Sequence, residues 1–199
     1  TEVWDLTTGD ALPDLDGPPA SFVAWSPDGE QIATTGPDVM ATIFDVDSGE
    51  VAASFGFTDS GLGRTGLAWP TADQLLTVTG NLVTTVHPAT GEIIWSHHTG
   101  PSALVAPSPD GAEVVIGMND DDHDVYDLAT GEVVGQVRTA SRVLKAADWS
   151  PDGRWVLVAG DDDQPTLWDA AAAGTTTQYE EVGPYSAGGA WSPDSQRVA

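Results

Sequence analysis

The sequence predicts an all-β chain built from repeated four-stranded antiparallel units. Three observations predict it: two turn signatures that recur at nearly the same period, short β-branched and aromatic runs between them, and very little helical periodicity. The first signature reads WSPDG at Trp25, WPTAD at Trp69, PSPDG at Pro107, WSPDG at Trp149 and WSPDS at Trp191, in steps of 44, 38, 42 and 42 residues. The second reads DLTTGD at Asp5, DVDSGE at Asp45, HPATGE at His87 and DLATGE at Asp127, with a decayed copy, DAAAAGT, at Asp169; its steps are 40, 42, 40 and 42. Two independent rulers therefore report one repeat, and a fixed period in this range marks a stacked or radial array.

Taken in order along a unit, an inner strand ends at the Trp position and a second strand follows SPDG. A third ends near the Asp, and an outer strand follows TGE. The stretch 1–6 reads as extended, and the segments 31–35, 41–45, 75–79, 113–117 and 155–159 have strand length and strand composition. The turns break the strands for stated reasons: Pro presets φ, Asp bonds its neighbouring backbone, and Gly supplies the positive φ of a tight turn. The Ala-rich stretch 169–173 has helical composition, but Gly174 and the threonines at 175–177 argue against a helix. Four short antiparallel strands at this period form a β-propeller blade. The SPDG and TGE turns then share one rim, and the Asp-rich second-to-third-strand loops share the other with the blade-to-blade loops.

The expected organisation is a single β-propeller domain, or an excerpt of one, with four complete blades at about 21–62, 63–100, 101–140 and 141–182. They are flanked by complementary half-blades at 1–20 (third and fourth strands) and 183–199 (first and second strands). At the same period, roughly six residues are missing for a seamless five-blade ring. An excerpt of a longer propeller is thus expected, with a five-blade ring closed by pairing of the ends as the alternative. No signal peptide opens at Thr1, and the native N-terminus is expected to lie elsewhere.

At 199 residues the chain can bury a core without staples. Its apolar runs are short against the roughly 18 residues that span a bilayer, so no membrane insertion by this segment is expected. Against 31 acidic residues there are 6 basic ones, a formal charge of -25, and Lys145 is the lone lysine. Phosphate recognition needs clustered Lys and Arg, so nucleic acid is not an expected partner, nor is an anionic membrane surface. The acidity favours a basic protein or cations, or it is a proteome-wide trait of an organism living in salt. Absence of cysteine excludes disulfides, thiolate metal sites and cysteine nucleophiles. It leaves the compartment open between the cytoplasm and an extracytoplasmic domain of a larger protein.

The strings VWDLTTG at Val3, IFDVDSG at Ile43, VYDLATG at Val125 and LWDAAAAG at Leu167 resemble the WD-repeat family, most nearly its bacterial members, over essentially the whole chain. The resemblance implies a propeller, seven-bladed by default. It also implies a structural role, in the tight turn before the third strand, for Asp38, Asp120 and Asp162, each six residues ahead of the Trp position. The Gly-His pair that gives the family its buried His is missing from every unit. That network is not expected here, and quinoprotein-like and prolyl-peptidase-like propellers share the turns.

Candidate chemistry is sparse. GLGRTG at Gly61 fits G-x-G-x-x-G, but it precedes the strand LAWP where a pyrophosphate fingerprint requires a helix, so a blade-to-blade loop is expected. Arg64 in that loop is placed to touch a partner. In NDDDHD at 119–124, Asp120, Asp122 and Asp124 hold positions one, three and five of a calcium loop, but the required Gly is absent and position twelve is Gly131. No cofactor is expected, with calcium there as the alternative. GDDDQ at 160–164 is the matching loop of the next unit. His87, His97, His98 and His123 have no convergent spacing for zinc and read as surface positions. No G-x-S-x-G elbow or Ser, His and Asp set appears. Trp25, Trp69, Trp149 and Trp191 share one repeat position and Trp4 and Trp168 another, which reads as core packing, while Trp95 and Trp155 stand apart as possible anchors.

These readings point to a non-enzymatic interaction or scaffold module presenting an acidic rim to a protein partner. The expected contacts are Arg64, Asp121, Asp122, His123, Asp161 and Asp163, and open strand edges allow self-association. Two alternatives stand: an enzymatic propeller with a ligand, cofactor or metal in its central funnel, and an excised or engineered propeller fragment without its own activity.

Overall fold

A computed structural model describes residues 1–36, 40–56, 65–98, 104–117, 122–139, 144–160, 165–172, 175–178 and 190–198. These residues are strands and turns, with four antiparallel four-stranded sheets. The first holds β1 (Phe22–Trp25), β2 (Gln31–Thr35), β3 (Met40–Asp45) and β4 (Val51–Gly56), each beside its successor. The second holds β5 (Thr65–Thr71), β6 (Gln74–Thr79), β7 (Leu82–Val86) and β8 (Ile93–His98). The third holds β9 (Leu104–Pro107), β10 (Glu113–Gly117), β11 (Asp122–Asp127) and β12 (Val133–Arg138). The fourth holds β13 (Leu144–Trp149), β14 (Trp155–Gly160), β15 (Thr166–Asp169) and β16 (Thr175–Gln178). This meander is the propeller-blade pattern that the repeat predicts, and β2 and β10 have the bounds read from sequence. The register of β3 on β4 shifts between Ile43 and Phe44, and that of β11 on β12 between Val125 and Tyr126, the same place in two sheets. Among the described residues no helix is long and apolar enough to cross a membrane.

The chain divides into two compact units, Thr1–His97 and His98–Ala199. The second strands are deeply enclosed: Val114, Val115 and Ile116 of β10 are fully buried, as are Leu75, Leu76 and Val78 of β6. A strand covered on both faces reads as a continuous apolar run without alternation. Full burial of one such side chain stabilises by about 1.5–3 kcal/mol. The outer strands are the reverse, and each of three opens on solvent-facing aliphatics: Val51 on β4, Ile93 and Ile94 on β8, and Val133 and Val134 on β12.

In the first unit, Ala33, Ala41, Ile43, Trp69, Leu75 and Val86 form one core. A second joins Ile32, Phe44 and Val46 to Val3 and Leu15 of the N-terminal segment. Gly17 approaches Phe44 so closely that a Cβ there would meet Cζ at 2.5 Å. The stretch 1–6, expected to be extended, keeps a single antiparallel bridge, Trp4 to Ala11. In the second unit, Val115, Val125, Val137, Leu144, Trp149, Val156, Val158 and Trp168 pack together. The rings of Trp149 and Trp168 meet edge to face, with centroids 6.4 Å apart. Residues 190–198 add a bridged hairpin, Trp191 to Val198.

The tryptophans part company. Trp69 and Trp149 are buried, as the repeat position predicts, and so is Trp168. Trp25 and Trp4 are 49% and 56% exposed, contrary to their reading as core. Burial of a strand-end indole needs a neighbouring sheet, which the residue's own turn does not provide.

Candidate functional site

In a four-stranded meander the first-to-second and third-to-fourth turns lie at the same end of the sheet, so each sheet presents its two signature turns side by side. The SPDG turn is a closed hydrogen-bond set. The Ser26 hydroxyl donates to Asp28 Oδ1 at 2.6 Å and accepts from the Gln31 amide at 2.9 Å, while the Glu30 amide donates to Asp28 Oδ1 at 3.1 Å. Gly29 closes it with φ 77°. The Ser–Asp bond recurs at 2.6 Å in Ser108–Asp110, Ser150–Asp152 and Ser192–Asp194. In each case the Ser hydroxyl, then a backbone amide, holds the Asp carboxyl below its ordinary range. The last copy has Ser195 at φ 59° where the others have Gly, and Ser195 Oγ accepts the Asp152 amide at 3.1 Å.

The TGE turn is an Asx turn. Asp45 Oδ1 accepts the Ser48 hydroxyl at 2.7 Å and its amide at 2.9 Å, and Asp127 Oδ1 accepts the Thr130 amide at 2.8 Å and its hydroxyl at 2.9 Å. These bonds hold both carboxyls below the ordinary range. At His87 the ring stands in for the carboxylate: Nδ1 accepts the Ala89 amide at 3.2 Å. The first sheet thus exposes Asp28, Glu30, Asp47 and Glu50 at one end, and the third exposes Asp110 and Glu132. Glu113, half-buried between them, is pushed up by burial and then by Asp110 and Asp127.

Of the residues singled out from sequence, Arg64, Asp120, Asp121, Asp161 and Asp163 lie outside the described residues, as do Asp38 and Asp162 and residues 61–64 of the glycine-rich string. Gly66 is in β5 opposite Val78. Asp122 opens β11 opposite Arg138. Asp124 is engaged within the sheet, Oδ1 accepting from Gln136 Nε2 at 3.0 Å and Oδ2 from the Tyr126 hydroxyl at 3.3 Å. His123, read as a surface contact, is fully buried, its Nε2 3.4 Å from the Thr139 hydroxyl. Side chains alternate along a strand, so His123 shares a face with Val125 of the core. That burial removes it from the contact surface. His97 and His98 are exposed at the end of β8, and His87 Nε2 lies 3.8 Å from Asp73 Oδ1. Among the described residues no three His, Asp or Glu side chains group as metal ligands.

Sequence reasoning missed the fourth sheet's departure from the acidic pattern. Arg154 there pairs with the buried Asp169 at 3.1 Å and lies over the Trp155 ring at 5.0 Å. Aligning the repeat on its SPDG turns puts Glu30, Ala112, Arg154 and Gln196 in one column, which is where the signal lay.

The family model described as WD domain, G-beta repeat matches residues 132–169. That span holds β12 through β15, the outer strand of one sheet followed by three strands of the next. No curated protein matches the chain. Repeats of this kind generally mediate protein–protein interaction and usually act as scaffolds without catalysis.

Proposed function

Taking the chain as a WD-repeat protein, we propose that it is a scaffold module whose acidic ends receive a basic segment of a protein partner. The observation that carries this is the set of exposed carboxylates at the signature turns, of which Asp28 and Asp110 are held in place by turn hydrogen bonds. Fixed acceptors meet Lys or Arg without an ordering cost, and charge-assisted bonds are the stronger kind. The net charge of -25 adds long-range attraction for a cationic chain. The Asp-rich loops around Asp121, Asp122, Asp161 and Asp163 supply a second acidic end on this reading, with Arg64 of a blade-to-blade loop as a further contact.

The test is titration with an Arg/Lys-rich dodecapeptide against two charge-neutralised chains. One is Asp47→Asn with Glu50→Gln at the turn end, the other Asp161→Asn with Asp163→Asn at the loop end. Loss of two carboxylates from the contacted end weakens binding about tenfold at low salt. Equal binding by parent and both variants would sink the proposal.

A further inference from the structure

Two of the chain's 6 basic residues line one cleft, and we infer that this cleft binds a carboxylate side chain of an acidic peptide. The cleft lies in the second unit, at the turn end of the fourth sheet beside the Trp191 hairpin. It has a volume of about 410 Å³ and takes its walls from Arg154, Trp155, Trp191, Arg197 and Val198. That is within the size of ordinary ligand sites, roughly 300–1,000 Å³.

The repeat shows that this place is distinct. The position after the SPDG-type turn is Glu30, Ala112, Arg154 and Gln196 in successive copies, and the next is Gln31, Glu113, Trp155 and Arg197. Arg154 thus stands where the first copy carries Glu30, and Arg197 where the third copy of the repeat carries Glu113. The third-to-fourth turn changes in the same sense: five residues after the turn's first position, Glu50, Glu92 and Glu132 give way to Gly174.

The local acids do not consume these cations. Asp169 is buried, with Oδ1 accepting the Ala171 and Ala172 amides and Oδ2 meeting Arg154. A guanidinium has five N–H donors, and this contact leaves others of Arg154 directed elsewhere. Its side chain is 56% exposed despite the pair. Asp152, which also lines the cleft, has Oδ1 occupied by the Ser150 hydroxyl and the Arg154 amide. Arg197 is exposed and, among the described residues, has no acidic partner. Asp169 and the Trp155 ring fix Arg154, so one guanidinium is preorganised and the other is available to complete a carboxylate clamp. The half-buried indoles of Trp155 and Trp191 offer apolar walls for the stem of a Glu or a neighbouring Leu. The acidic surface beyond the cleft is screened within about 8 Å at physiological salt.

The experiment is fluorescence anisotropy with a labelled peptide, Ac-Glu-Glu-Leu-Glu-Glu-NH₂, against the full chain at about 0.15 M salt. Its Gln-for-Glu analogue is the control. Saturable binding is expected, with the analogue at least about tenfold weaker, Arg197→Gln about fivefold weaker and Arg197→Glu without measurable binding. Arg197 is exposed, so both variants keep the parent's melting temperature. Asp16→Asn, exposed in the other unit, leaves affinity within about twofold. Absence of binding, equal affinity for the two peptides, or an Arg197→Gln chain that binds like the parent overturns the inference. None of these outcomes bears on the basic-peptide titration, which reads the acidic ends.

Discussion

Trp25 and Trp149 occupy the same repeat position, end the same kind of inner strand and precede the same SPDG turn, yet one is 49% exposed and the other 6%. Trp149 donates Nε1–H to the Ala106 carbonyl at 2.9 Å and meets Trp168 edge to face. Around Trp25 the turn is equally complete, with its Ser–Asp bond at 2.6 Å and Gly29 at φ 77°. The shared motif therefore encodes two separable things. The turn forms from its own consecutive residues, Ser26 to Gln31, whereas the indole acquires an energetic role only from a neighbouring sheet.

The largest test of that separation is truncation at both sites. Trp149→Ala is expected to cost about 3–5 kcal/mol, the range for a buried aromatic, and Trp25→Ala under about 1 kcal/mol. Urea unfolding of the two variants measures the difference, and similar losses would show that exposure does not set the indole's contribution. A finer comparison uses Trp69, buried like Trp149 but with an Nε1–H that has no hydrogen-bond partner among the described residues. Trp149→Phe removes a made bond and Trp69→Phe an unmade one. The first is thus expected to cost about 1 kcal/mol more than the second.

The smallest effect is local and acid-dependent. The Asp carboxyls of the four Ser–Asp turns titrate below their unfolded value, so their stabilisation is complete above that value. It is lost as pH falls through the folded pKa. The Gln31, Glu113, Trp155 and Arg197 amides, each donating to the turn Ser at 2.9 Å, should lose exchange protection over that window. In the second sheet the turn after Trp69 is Thr71 to Gln74, without a Ser–Asp bond, and Gln74 should not follow them. A common pH response in all five amides would mean that a global opening, not the turn carboxylate, is being read.

What the sequence made legible follows the same division. Strand bounds, turn roles and the blade meander were readable because each rests on a few adjacent residues, as at β2, β10 and the four Ser–Asp turns. Misreadings fell on positions decided by remote neighbours. Trp25 carries the motif without the packing, and His123 is polar by type but lies on the core face of β11 beside Val125. The acidic loops were identified by composition alone. The Arg154 and Arg197 cleft needed both the repeat alignment and the spatial proximity of two turns 42 residues apart, Ser150 and Ser192.

The aliphatic pairs that open the outer strands have a colloidal consequence. Ile93, Ile94, Val133 and Val134 stand in solvent on strands of the kind that invite pairing with another chain. Mutual repulsion among molecules of the same sign is what keeps such surfaces apart. That repulsion vanishes near the isoelectric point of about 4.1. Acidification toward that value neutralises the dispersing charge while the apolar strips stay uncovered, so the working range of this protein is bounded on the acid side by flocculation as well as by unfolding.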